Sequence, residues 1–356
     1  MYLLFSFLIL FVSINNIVFS SFLLVLIIIL SLFSKRKPLN EINFSFFFVF
    51  LVTPTLVGFI LLLCGFDYTP FLKLVYVYVF FCFLVLLFSS FNFPVGFFSS
   101  AIDLAIKIHL FLFFFQMLSL YFFNYNIDFS LYLAGESNRV HGGVLQGFNF
   151  WRPSGLYNEP GTYATYFSIL IYLSMFCSNF KPKPLYIFAL ISLYCTVSIF
   201  AYILSLPILF FLLIHDYQSL FNKVKYFLVA LIMLPIFFVA YNYIHFRLFS
   251  ENRYDVSLDT KLNAIEFWLQ QSFQRQILGA GFSYNDYGGL VDDSTLMFSF
   301  IFTYGIFSLP IFIALFWKSK RAAIFIFFIL MSKTAIFSVF LGAAIGLFKN
   351  KRINYL

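Results

Sequence analysis

The chain has 356 residues, of which 62% are apolar, 24% aromatic and only 10% charged, and its mean hydropathy is +0.96. This composition argues against a soluble globular protein, because the fold of a soluble chain this long exposes far more polar surface. The net charge of +8 does not indicate nucleic-acid binding, since the basic residues form short clusters at the ends of apolar runs.

Long apolar runs with few charges recur along the chain and predict membrane-spanning helices. The runs are residues 1–33, 44–63, 71–90, 101–123, 160–178, 185–214, 226–244, 294–317 and 321–348. We therefore predict an all-α polytopic membrane protein with about 11–12 transmembrane helices, and we treat residues 1–356 as a single integral membrane domain. The number of transmembrane helices depends on whether residues 1–33 form a hairpin or one long tilted helix.

Basic clusters and two polar islands determine the predicted topology. The clusters are residues 35–37, 181–183, 223–225, 318–321 and 349–352, and the islands are residues 124–159 and 245–293. Cytoplasmic loops are enriched in Lys and Arg, so we place the clusters on the cytoplasmic side. The islands then form two large loops on the opposite side.

The run 185–214 lies between two clusters on the same side, so it must cross the membrane an even number of times. We predict a hairpin of two short helices there, and a second one in 321–348 with its turn at Ser332-Lys333-Thr334. A 15-residue helix is only about 22 Å long, against about 30 Å for the hydrocarbon core. Such hairpins thin the bilayer locally or enter it without crossing it.

The first island ends in Arg152-Pro153-Ser154-Gly155-Leu156-Tyr157-Asn158-Glu159-Pro160-Gly161. Pro160 suits the first position of a helix, and Asn158 or Glu159 can cap it. Two interpretations fit Arg152 and Glu159. Either Arg152 snorkels to the lipid headgroups while Glu159 complements the helix dipole, or both belong to a binding site.

The second island contains His245, Arg247 and Arg253. A guanidinium presents a planar fork of donors that matches phosphate oxygens, so these arginines are candidates for holding a diphosphate. The alternative is ordinary solvated charge, because acidic residues are plentiful nearby. Residues 260–274 are predicted to form an amphipathic helix on the membrane surface, and Asp292 and Asp293 are candidates to cap the next helix.

Other residues that could carry chemistry are scattered. Asp103 and Lys107 are four residues apart and are expected to pair on one helix face. The four cysteines and four histidines form no metal-binding pattern, and the cysteines are read as packing residues. The Gly-x-Gly of residues 279–281 has no preceding strand and no third glycine, so it indicates a turn and not a nucleotide loop.

Taken together, the two islands resemble a known family. Arg152-Pro-Ser-Gly-Leu-Tyr-Asn-Glu-Pro-Gly, which opens a span after a long outer loop, resembles the motif of the O-antigen polymerase (Wzy) and ligase superfamily. Ile277-Leu-Gly-Ala-Gly-Phe, followed by Asp292-Asp-Ser-Thr-Leu and by Tyr304-Gly305-Ile306, is similar to its second-loop signature. One departure is that members often carry Ser-Arg in the hairpin after the first motif, where this chain has Thr196-Val197-Ser198-Ile199.

The resemblance implies a GT-C-like, inverting, metal-independent glycosyltransferase without a cofactor, in the bacterial inner membrane with its site facing the periplasm. Its donor would be a glycan on undecaprenyl diphosphate and its acceptor the terminal sugar hydroxyl of another lipid-linked repeat unit. Arg152, Arg253 and then Arg247 would bind the diphosphate and stabilise its charge as it leaves. Glu159 and His245 are the candidate catalytic bases. Membrane lipid is an expected partner, and a chain-length regulator (co-polymerase) is a candidate one.

Two other functions compete with the polymerase. The ligase of the same superfamily would transfer the glycan to lipid A-core, and a lipid-linked oligosaccharide flippase would carry out no chemistry. A flippase predicts internal repeats and ionisable groups within the spans, whereas the polar residues here concentrate in the outer loops.

Overall fold

The structure, a computed structural model, describes residues 81–86, 88–89, 95–145, 148–215, 256–279, 294–317, 322–333 and 338–349, and a few isolated positions that include His245. The regular secondary structure of the described residues is helical, apart from one short two-stranded hairpin. The chain divides into two compact units, residues 1–29 with 94–253 and residues 30–93 with 254–356. Each unit is described separately.

The first unit is built around a central helix that is buried along almost its whole length. Its elements are α1 (Val95–Phe123), α2 (Phe129–Ala134), β1 (His141–Leu145), β2 (Phe148–Trp151), α3 (Pro160–Cys177), α4 (Pro184–Cys195) and α5 (Ile199–His215). Every residue of α3 from Tyr163 to Cys177 is buried, and α3 packs against α1 and α5. The motif of the first island enters this central helix directly, so the position of the motif is fixed by the core of the unit.

The strands β1 and β2 form an antiparallel hairpin in which Val144 pairs with Asn149 and Leu145 with Phe148. The register is irregular between His141 and Gly143. The prediction of an all-α chain missed this hairpin. The sequence of β1, His-Gly-Gly-Val-Leu, gives little strand signal because its two glycines have low strand propensity.

Several predicted boundaries in the first unit are confirmed. The run 160–178 is α3, and Pro160 stands in its first turn as expected. The run 185–214 is broken into α4 and α5, which are separated by Thr196, Val197 and Ser198. The positive-inside argument therefore placed a helix break correctly within an apolar stretch that carries no charge.

The second unit is a series of shorter helices. They are α6 (Val256–Leu269), α7 (Phe273–Leu278), α8 (Leu296–Tyr304), α9 (Ser308–Phe316), α10 (Ala323–Leu330) and α11 (Val339–Lys349), with a 3-10 turn, Gly305–Phe307, between α8 and α9. The predicted break at Ser332 and Lys333 is confirmed. The helix predicted over 260–274 begins earlier, at Val256, and ends at Leu269. Thr295, and not an aspartate, caps α8, while Asp292 and Asp293 lie outside the described residues.

Two helical segments are long and apolar enough to cross a membrane. They are Phe98–Phe123, with 26 residues, and Leu296–Phe316, with 21 residues. At 1.5 Å per residue both exceed the roughly 30 Å of a hydrocarbon core. The predicted runs 1–33, 44–63, 71–90 and 226–244 lie wholly or mostly outside the described residues.

Candidate functional site

The motif of the first island is a buried turn with a polar group at each end. Residues 153–157 are all buried, whereas Arg152 before them and Asn158 and Glu159 after them are partly exposed. The apolar and small residues of the motif therefore belong to the core of the first unit. Only the ends of the motif can meet a ligand from solvent.

Gln116 of α1 holds this turn in place. Its side chain is fully buried, and its Oε1 accepts hydrogen bonds from the backbone N–H groups of Ser154 (3.0 Å) and Gly155 (2.8 Å). Its Nε2 donates to the carbonyl oxygen of Ile127, at 3.0 Å. Buried backbone N–H groups need partners, and one amide side chain satisfies two of them here.

The conformation of the turn depends on Gly155, whose φ of +59° lies in the left-handed region that favours glycine. A Cβ at this position would lie 3.3 Å from the ring of Tyr163. The hydroxyl of Ser154 closes the turn by donating to the carbonyl oxygen of Tyr157, at 2.6 Å. The Ser-Gly pair of the motif is thus explained by local geometry.

Tyr157 anchors the turn in an aromatic stack. Its ring lies between His109 and Tyr166, with centroids 5.7 and 5.6 Å away and planes 4° and 8° from parallel. All three side chains are buried, so the stack removes a large apolar area from water. The sequence indicates no role for His109, and in the structure its ring packs against Tyr157 of the motif.

The β-hairpin brings Arg139 to the far end of the turn. At its base the N–H of Arg152 donates to the carbonyl oxygen of Val140 (2.7 Å), and the N–H of Arg139 donates to that of Asn158 (2.6 Å). The guanidinium of Arg139 then donates through Nη1 to Oε1 of Glu159, at 2.8 Å. The sequence gives no sign of a role for Arg139, because only the unpredicted hairpin places it beside a residue twenty positions later.

The expected capping role of Glu159 is wrong. Glu159 occupies the N-cap position of α3, but its carboxylate makes no capping hydrogen bond and pairs with Arg139 instead. The side chain of Arg139 is 79% exposed in this pair, and that of Glu159 is 28% exposed. An ion pair this exposed contributes about 0–1 kcal/mol, so a stronger anionic ligand can displace the carboxylate from Arg139.

Arg152 reaches the turn between α4 and α5. Its Nε donates to the carbonyl oxygen of Thr196, at 3.2 Å. The next residue, Val197, has a φ of +46°, a conformation that is rare and strained for a β-branched side chain. This is the position where the sequence departs from the superfamily pattern, and Arg152 itself supplies a cation there.

The structure describes three of the five predicted site residues. Arg152 and Glu159 lie at opposite ends of the buried turn, and His245 is exposed with its ring 5.8 Å from that of Tyr241. Arg247 and Arg253 lie outside the described residues. Their predicted contacts with a diphosphate therefore stay predictions.

The second signature has a packing role in the second unit. A Cβ at Gly279 would lie 2.5 Å from the carbonyl oxygen of Thr303, and one at Gly305 would lie 2.0 Å from that of Ile277. Both glycines also have positive φ, at 76° and 54°. The two glycines allow the end of α7 to touch the break between α8 and α9.

The expected pairing of Asp103 with Lys107 is wrong. Asp103 accepts from Nζ of Lys183 at 2.5 Å, and the hydroxyl of Ser174 donates to the same carboxylate. Lys183 immediately precedes α4, so a contact across the fold replaces the one expected along a helix. Sequence spacing indicates which groups share a helix face, but it does not reveal a partner that lies far away in the sequence.

Among the residues that the structure describes, no three His, Cys, Asp or Glu side chains form a group that could hold a metal ion. Comparisons of the chain with protein-family models, with curated proteins and with solved structures give no match. The functional interpretation therefore depends on the resemblance of the motifs and on the geometry around Arg152.

Proposed function

We propose that this protein is an O-antigen polymerase, which joins undecaprenyl-diphosphate-linked repeat units at the periplasmic face of the bacterial inner membrane. The single observation that carries the proposal is the arrangement around the buried turn. The backbones of Arg139 and Arg152 are held at the base of one hairpin, beside the turn that leads into the N-terminus of α3. Guanidinium groups and a helix N-terminus both favour phosphate oxygens, so this corner suits a diphosphate.

In the proposed reaction a hydroxyl of the acceptor sugar attacks the anomeric carbon of the donor. A new glycosidic C–O bond forms while the bond from that carbon to the diphosphate oxygen breaks, and undecaprenyl diphosphate leaves with the electron pair. Negative charge grows on the leaving oxygen, and Arg152 and Arg139 stabilise it. Arg253 and Arg247 remain proposed as further contacts to the diphosphate.

The hydroxyl proton passes to a base, for which Glu159 and His245 are the two candidates. The Glu159 carboxylate accepts a hydrogen bond from Nη1 of Arg139 at 2.8 Å, and this contact favours a role for Glu159 in holding Arg139. His245 is exposed, and histidine is the side chain that most often serves as a general base. We therefore assign the base to His245 and the positioning of Arg139 to Glu159.

The membrane part of the proposal has about 11–12 spans with the two islands in the periplasm. It is supported by the two membrane-length helical segments and by the further apolar runs of the sequence. Exposed apolar side chains on α1, among them Phe111, Phe115 and Leu118, offer a surface for lipid chains and for the polyprenyl tail.

The test is the lipopolysaccharide ladder of a strain that lacks this gene, complemented with the wild type or with Arg152→Ala. We expect the deletion to leave core with one repeat unit, and Arg152→Ala to reduce polymer by about 100-fold or more at a normal membrane level of the protein. The matched control is Lys181→Ala, which removes an exposed cation between α3 and α4 and should leave the ladder unchanged.

Three outcomes count against the proposal. A deletion strain with bare core indicates the ligase or the flippase, and the two are separated by whether complete polymer accumulates on undecaprenyl diphosphate in the periplasm. An unchanged ladder in Arg152→Ala removes Arg152 from the site. A loss of polymer in Lys181→Ala as large as that in Arg152→Ala shows that the assay reports a general effect of removing charge.

A further inference from the structure

We infer that Gln116 is the positioning residue of this site and fixes the distance between Arg152 and Glu159. The effect of Gln116 on polymer synthesis rests on the proposed function, whereas its effect on the turn does not. The inference starts from the three hydrogen bonds of the Gln116 side chain, which bring together three parts of the chain.

The first part is α1, which carries Gln116 itself near the end of a long helix. The second is the buried turn, whose Ser154 and Gly155 N–H groups both point at Oε1. The third is the segment before α2, reached through the carbonyl oxygen of Ile127. That segment leads through α2 to Arg139, so one buried amide joins the turn that follows Arg152 to the segment that precedes Arg139.

The contacts define which side chains can replace Gln116. The position needs an oxygen that accepts two hydrogen bonds, on a side chain long enough to reach the turn from α1. A glutamate supplies that oxygen, and in its neutral form also a donor for Ile127. A methionine has a similar length and volume but neither donates nor accepts strongly, so it would leave two buried N–H groups without a partner.

Gln116 affects the site through the buried residues 153–157. The backbone of this turn connects Arg152 to Glu159, so a change in the turn changes the distance between the two side chains. Tyr121 of α1 provides a second contact, from its hydroxyl to the carbonyl oxygen of Trp151 at 2.7 Å, but half of its side chain is exposed. It holds the residue before Arg152 and not the turn itself.

The experiment compares wild type, Gln116→Met, Gln116→Glu and the control Ser119→Ala, each purified in detergent. Ser119 is one turn further along α1 and donates to the carbonyl oxygen of Tyr125 at 2.7 Å, so its loss removes a bond to the loop without touching the motif. Hydrogen exchange followed by mass spectrometry measures the amides of residues 154–157 directly, since Pro153 has no amide hydrogen. We expect exchange at Ser154 and Gly155 to be about tenfold faster in Gln116→Met, and within about twofold of wild type in the other two variants.

The same variants are tested for polymer length in the complemented strain. We expect Gln116→Met to lose most long polymer and Gln116→Glu to restore it, because rescue by glutamate requires the hydrogen-bond acceptor and not merely a filled cavity. Unchanged exchange in Gln116→Met overturns the inference, whatever the polymer assay shows. If Gln116→Met does not accumulate, Gln116→Glu decides, since fast exchange or lost polymer in that variant contradicts the role of the acceptor.

The two proposals fail in different ways. If the deletion strain shows no polymerase defect but exchange at Ser154 and Gly155 responds to Gln116→Met, the proposed function is wrong and the positioning of the turn by Gln116 stands. If the deletion strain behaves as a polymerase mutant and exchange does not respond, the proposed function stands and Gln116 is a packing residue.

Discussion

Gly155 in the first unit and Gly305 in the second are both part of motifs that carry the family resemblance, yet they serve different purposes. Both have positive φ, at 59° and 54°. A Cβ at Gly155 would meet a tyrosine ring at 3.3 Å, whereas one at Gly305 would lie 2.0 Å from a backbone carbonyl oxygen. A ring can move by a few tenths of an ångström, but a carbonyl held in a helix cannot.

The motif around Gly155 therefore presents chemical groups, whereas the motif around Gly305 permits contact between two backbones. The turn around Gly155 has Arg152 and Glu159 at its ends, so its geometry matters for what lies beside it. The contact between Gly279 and Gly305 brings two segments of the second unit together, so its geometry matters for whether that unit forms.

The largest effect is expected for Gly305→Ala. The added methyl group cannot be accommodated without moving α7 away from the break between α8 and α9, which should cost more than about 4 kcal/mol of stability. Purified yield and the thermal unfolding midpoint in detergent measure this loss. The control is Gly96→Ala in α1, where a Cβ meets nothing within 4 Å and should be neutral or stabilise the protein by up to about 1 kcal/mol.

A smaller effect is expected for Gly155→Ala, because the left-handed conformation and the contact with Tyr163 together should cost about 1–2 kcal/mol. The protein should still accumulate, but with a lower unfolding midpoint and shorter polymer, since Arg152 and Glu159 move with the turn. If Gly305→Ala accumulates normally while Gly155→Ala does not, the roles given to the two glycines are reversed.

The smallest effect on stability is expected for Arg139→Ala, which removes an exposed ion pair worth less than about 1 kcal/mol. Polymer synthesis should nevertheless fall, because Arg139 is proposed to contact the diphosphate. We expect Arg139→Ala to lose more polymer than Glu159→Gln, which keeps the guanidinium. Equal losses in the two variants would mean that the ion pair, and not the cation, is what the site requires.

The sequence predicted the helices better than the site. Charge placement located the breaks within 185–214 and 321–348, because a positive-inside rule constrains how often an apolar run can cross. The start of α3 followed from Pro160. These features depend on residues close in sequence or on a rule that acts on the whole chain, so one sequence is sufficient to find them.

The contacts of the site could not be predicted in the same way. Gln116 reaches Ser154 across 38 positions, and Arg139 reaches Glu159 through a hairpin whose first strand contains two glycines. Asp103 pairs with Lys183, 80 positions away, although Lys107 lies on its own helix. Each contact depends on how distant segments of the chain come together, and neither periodicity nor motif spacing contains that information.

The base of the β-hairpin has a consequence for how this protein can diversify. The bonds from Arg152 to Val140 and from Arg139 to Asn158 hold the backbones of both arginines at the base of the hairpin. Lengthening a closed loop costs little entropy, since the cost grows only with the logarithm of loop length. Residues beyond the base can therefore be inserted or exchanged while the backbones of the two arginines keep their hydrogen bonds.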